Sequence, residues 1–213
     1  LTVEMEIDRR GQTISANFHE SLIRSDYRMT YTDVTKILDG DKALRQDYAP
    51  IVTFLSDCKE LAEIIEKKRK ANGLINFITK ESKIVLDDKG DVRDISPYPS
   101  EVSNSIIEHF MITANECVAE YISSKSLPCV YRIHETISEE KLENFHKFIN
   151  GLGYSLNLAK GVSPKLFSDL LESIKDLPEE PIINKILLRS MQKAKYSTKN
   201  KGHFGLSLDY YCH

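Results

Sequence analysis

The sequence predicts an α+β fold, a mixed and largely antiparallel sheet packed with helices, on three observations. Apolar residues alternate with polar ones in short segments, recur every three or four residues in longer ones, and the two kinds of segment are interspersed along the chain. With 213 residues, 41% of them hydrophobic and 29% charged, the chain is long enough to bury a core of its own.

In order, Val3, Met5 and Ile7 alternate with Thr2, Glu4 and Glu6, residues 8–11 supply turn chemistry, and Ile14, Ala16 and Phe18 resume the alternation, which reads as a β-hairpin with an apolar core face. Thr32 is placed to cap a short helix that runs to Leu38 and stops at Asp39 and Gly40. Pro50 suits the first turn of a long helix in which Ile51, Leu55, Cys58, Ala62 and Ile65 form one buried stripe, and Asn72 with Gly73 ends it.

Short β-like runs follow at Ile75 to Ile78, Ile84 to Leu86 and Val92 to Ile95, the last two joined by a turn at residues 87–90. Pro97 and Pro99 break the chain, and Ser100 is placed to cap a helix to about Ser124. Ile106, Ile107, Phe110, Met111, Ile112 and Ala114 make that helix apolar nearly all round, so it is expected at the centre of the fold. A strand through Cys129 to His134 precedes a helix from Ser138 to Asn150, where Glu139 and Glu140 suit the dipole and Gly151 closes the last turn. Two further helices start near Pro164 and Pro181. With no internal repeat and no linker, residues 1–213 are expected to form a single domain.

Net charge is −3, so any nucleic-acid contact has to come from a local patch. Cys58, Cys117, Cys129 and Cys212 form no C-x-x-C pair, and four free thiols in a chain with no bilayer-length apolar run lead us to expect the cytoplasm. Asp87, Asp88 and Asp91 read as a solvated turn, because no later Glu completes a calcium loop. The six histidines lack zinc spacing, and no G-x-S-x-G, P-loop or dinucleotide fingerprint occurs, so serine hydrolysis, nucleotide hydrolysis and hydride transfer have no support.

Three features remain as candidates. Glu108 and Asn115, seven residues apart on one face of the apolar helix, read on periodicity as a buried carboxylate and amide satisfied by backbone or by an Arg. Phe77, on strand grounds, reads as a core residue. From Arg189 through Leu208 there is no Asp or Glu, while Arg189, Lys193, Lys195, Lys199 and Lys201 are interleaved with Tyr196, His203 and Phe204. Such a run is either an exposed basic helix end or a path for single-stranded RNA. The basic run at residues 67–70 reads as charge complementing a helix C-terminus.

Gly202-His-Phe-Gly-Leu206, taken with Arg28-Met-Thr-Tyr31 and Ala114-Asn-Glu116, resembles the catalytic (RNB) domain of the ribonuclease II and ribonuclease R exoribonucleases, from about Val3 to His213. Residues 131–135 and 187–191 look more like ribonuclease R. The resemblance implies a processive 3′ to 5′ exoribonuclease that releases nucleoside 5′-monophosphates from single-stranded RNA. It also implies that Glu108 and Tyr31 contact ribose near the 3′ end and that Phe77 stacks on a base. A carboxylate accepting from a 2′-hydroxyl discriminates against DNA, since deoxyribose leaves the acceptor unpaired. Hydrolysis in the family uses Mg²⁺ held by an upstream Asp-rich motif, with a catalytic Arg downstream. The chain is therefore expected to be a partial domain that lacks both, with no catalytic or metal-ligating residue of its own, and to be inactive alone. The alternative from another class is a noncatalytic RNA-binding or scaffold module that shares the fold.

Overall fold

The computed structural model describes residues 1–77, 82–97 and 101–213. The α+β expectation holds, but among the described residues the strands do not join into one sheet. They form three separate antiparallel pairs: β1 (Thr2–Ile7) with β2 (Thr13–His19), β3 (Ser82–Leu86) with β4 (Val92–Pro97), and β5 (Tyr131–Ile133) with β6 (Lys195–Ser197). The first two are local hairpins, whereas the third joins segments more than sixty residues apart in sequence, which only tertiary packing can do.

In the first hairpin the register shifts between Glu6 and Ile7, so Ile7 pairs with Thr13 and Ile14 becomes the extra residue of a β-bulge. The expected face of Ile14, Ala16 and Phe18 is broken accordingly. Ile14 is exposed, while Phe18 stacks on Tyr121 with ring centroids 4.3 Å apart.

Helix α1 (Tyr31–Leu38) starts two residues earlier than a Thr32 cap would set it. Thr30 is the cap: its hydroxyl accepts from the Asp33 N–H at 3.1 Å and donates to the Asp33 carboxylate at 2.8 Å. A short helix, α2 (Lys42–Asp47), which the apolar spacing does not signal, is capped by Asp41. Pro50 lies in the 3-10 turn Ala49–Ile51 that leads into α3 (Val52–Ala71). Gly73 ends α3 at φ 96°, and a Cβ there would lie 2.6 Å from the backbone N of Lys165, so the site needs glycine on two counts.

Helix α4 (Val102–Ser124) packs against α3, α1 and β1. Ser100, expected to cap it, lies outside the described residues, as does Ile78 of the first β-like run. Ser103 ties the start of α4 to α1 by donating to the Tyr31 carbonyl at 2.8 Å. α4 is not buried all round: Ile106 and Ile112 face the interior, but Ile107 and Met111 are exposed.

The remaining helices, α5 (Glu139–Gly151), α6 (Pro164–Ser173) and α7 (Glu180–Ser190), enclose the largest core, centred on Phe145, Phe167, Ile183 and Leu187. Smaller cores form where α1 meets α3, at Val34, Ile37 and Leu55, and where α4 meets β5, at Ala119, Tyr131 and Ile133.

Candidate nucleic-acid interface

The Gly202–Leu206 motif folds into a 3-10 turn (Phe204–Leu206) that holds together chain segments far apart in sequence. The Gly205 N–H donates to Nδ1 of His134 at 2.9 Å, and Nε2 of His134 lies 2.7 Å from the Gln192 carbonyl. Together these fix the neutral tautomer, with the proton on Nε2. A Cβ at position 205 would lie 2.8 Å from that Nδ1, so glycine is required by close approach.

On the other side of the turn, the Gly205 carbonyl accepts from the Ile75 N–H at 3.1 Å, and the Ser207 hydroxyl donates to the Asn72 carbonyl at 2.7 Å. A continuous chain of hydrogen bonds thus runs from Gln192 through His134 and Gly205 to Ile75, two residues before Phe77. The His203 ring lies 5.2 Å from His134 and 5.2 Å from Tyr211. Burial depresses both histidines. His203 falls to about 4, chiefly from burial and then from the neighbouring His134.

Phe77 sits at the edge of the main core, partly buried against it, which matches its core reading and leaves part of the ring uncovered. Glu108 is exposed on α4 rather than buried, so the expectation of a carboxylate sunk among apolar side chains is corrected. The buried polar positions of α4 are instead Ser103, His109 and Thr113. Asn115 is partly buried, and its amide nitrogen has no partner among the described residues.

Tyr31 opens α1, is 48% exposed as a residue, and lines an apolar cavity of about 420 Å³ with Phe54, Leu55, Ile106, Ile107 and Phe110. Glu108 and Phe77 do not line that cavity. At about 100° per residue, Glu108 projects from the side of α4 away from it. The cavity that Tyr31 lines thus does not include Glu108.

Arg69 is the polar residue that periodicity overlooked. It is only 5% exposed and reaches Glu116 on α4 at 3.4 Å and the Thr113 hydroxyl at 3.5 Å, while its Nε and Nη1 have no partner among the described residues. Burial lowers the Arg69 pKa against the pull of Glu116, Tyr211 and Glu108, and burial raises Glu116 against the pull of Arg69. In both groups desolvation outweighs the attraction of the pair. The signal was present in the sequence, because Arg69 continues the Ala62 and Ile65 stripe at i+4.

The basic run is partly neutralised: Lys195 and Lys201 both pair with Glu135 and hold its carboxyl at about 2. Among the described residues no group of three or more His, Cys, Asp or Glu is gathered to hold a metal ion. Nor is any described helix long and apolar enough to cross a membrane.

The family model for the RNB domain matches residues 1–213. A curated relative named ribonuclease R, from Aquifex aeolicus, is 40% identical over 212 residues, which is 100% of this chain and 30% of the relative. Across the first curated relatives the chain spans 26% to 30% of their length. Among solved structures, RNase R of Mycoplasma genitalium superposes with a TM-score of 0.89 at 26% identity, covering 99% of this chain and 33% of that one. That protein has been solved without ligand, with ribose-methylated single-stranded RNA and with double-stranded RNA. Yeast Ssd1, described as a pseudonuclease, shares the fold at a TM-score of 0.73 and 20% identity, over 99% of this chain and 26% of its own.

Proposed function

Since the chain belongs to the RNB domain family, we propose that it is part of a 3′ to 5′ exoribonuclease of the ribonuclease R type, and that its role is to hold the 3′ end of single-stranded RNA. The observation that carries this is the placement of Glu108, a carboxylate open to solvent on α4 where a sugar hydroxyl can reach it. Phe77, its backbone anchored two residues upstream by the Gly205 carbonyl, offers the uncovered part of its ring to a base. Tyr31, half exposed at the start of α1, is the other ribose contact near the 3′ end.

Processive hydrolysis to nucleoside 5′-monophosphates, and the Mg²⁺ it uses, are assigned to the longer enzyme. The described residues offer no metal-holding cluster, so no chemical step is placed on them. In the longer enzyme such a metal would supply an activated water and would neutralise charge on the phosphate. The 213 residues are read as a partial domain, inactive alone. Four free thiols and the soluble-protein composition support a cytoplasmic location.

The test is the affinity of this chain for an RNA oligomer and for DNA of the same sequence. RNA is expected to bind more tightly, and Glu108→Gln to shrink the difference by about fivefold, equivalent to about 1 kcal/mol for one hydrogen bond. A variant that weakens RNA and DNA equally removes Glu108 from the ribose contact. The second reading is a noncatalytic RNA-binding module, since the fold, which Ssd1 shares, does not by itself entail hydrolysis. Nuclease activity of the longer protein decides between the two.

A further inference from the structure

The β5–β6 pair carries a second surface suited to a nucleotide. Its register sets Arg132 directly across from Tyr196, and the guanidinium lies over the phenol ring 4.8 Å from its centroid. Tyr196 is nevertheless 60% exposed. The guanidinium thus supports one face of the ring and leaves the rest to solvent, an arrangement that holds an aromatic side chain still without covering it.

Exposed Lys193 and Lys199 flank Tyr196 at i−3 and i+3, and neither forms an ion pair among the described residues. Lys195 and Lys201 are committed to Glu135. From Arg189 through Leu208 the sequence carries five cations and no Asp or Glu.

We propose that Tyr196, backed by Arg132, is a stacking platform for one base of a single-stranded polynucleotide, with Lys193 and Lys199 meeting the adjacent phosphates. The platform adds to the Glu108 and Phe77 contacts and rests on the RNA reading only for the choice of polymer. A π face and a phosphate are common to every nucleotide, and nothing on the platform reads a 2′-hydroxyl, so it should accept RNA and DNA alike.

The experiment uses the whole 213-residue chain and single-stranded RNA and DNA oligomers carrying 2-aminopurine, whose fluorescence is quenched on stacking. Tyr196→Phe should keep quenching and affinity. Tyr196→Ala, with an unchanged melting temperature, should lose quenching and weaken both polymers by the same factor, between about fivefold and a hundredfold. Lys193→Gln with Lys199→Gln should flatten the dependence of affinity on salt.

Glu108→Gln reads the ribose contact separately, because it alters the preference for RNA and leaves DNA binding in place. If the ribose contact fails and the platform stands, DNA binding still depends on Tyr196. The proposal is overturned if the unaltered chain quenches neither oligomer, or if Tyr196→Ala binds both as the unaltered chain does. It is also overturned if that variant changes only self-association, which would assign the ring to a protein contact.

Discussion

At the scale of single residues, His203, which precedes the 3-10 turn, and His134, which packs against it, make stability depend on acid. Both are held below the ordinary value of 6.5 in the folded chain, so between pH 6.5 and about 4 the unfolded chain binds more protons. Stability is therefore full above 6.5 and declines as the pH falls through that window. Glu116, pushed up by burial, works in the opposite direction as it protonates, and Glu135, held at about 2, contributes its own loss only below 4.5. Melting temperatures at pH 7 and pH 5 should show the decline, and His203→Phe should flatten it; an unchanged slope would exonerate His203. Arg69 matters through burial rather than titration. Arg69→Ala strands Glu116, whose side chain remains 30% exposed, so we expect a loss of about 3 kcal/mol, toward the low end for breaking a buried pair, measured by urea unfolding. The pairings were not visible in the motif strings, because His134, Gly205 and Arg69 meet their partners across more than forty residues of sequence.

Elements were legible wherever local chemistry sets them. The long helices announced themselves by spacing, and Pro164 and Pro181 fall in the first turns of α6 and α7 as expected. Boundaries followed the hydrogen bonds rather than the spacing. Thr32 is the cap that the sequence suggests, yet its hydroxyl donates to Glu101 at 3.3 Å and Thr30 caps α1. Thr30→Ala should accordingly cost about 1 kcal/mol in urea unfolding and Thr32→Ala much less. The reverse order would restore the sequence-based boundary. α2 escaped notice because six residues with no buried member leave no apolar period to detect.

For the molecule as a whole, the distribution of roles predicts binding without turnover. Incubated with Mg²⁺ and single-stranded RNA, this chain should release no nucleoside monophosphate, and clear release would refute the assignment of hydrolysis to the longer enzyme. By itself the sequence determined the α+β class, the order of the main elements and the RNB family, because alternation, helical spacing, turn residues and short motifs are local properties that survive in a string of letters. Tertiary structure alone decided that the strands of the described residues form three separate pairs, that Arg69 pairs with Glu116, that Glu108 lies outside the cavity Tyr31 lines, and that Arg132 backs Tyr196. The physical reason is common to all four: burial and pairing depend on which distant segment comes to lie against a residue, and periodicity gives the face a side chain occupies without naming what that face will meet.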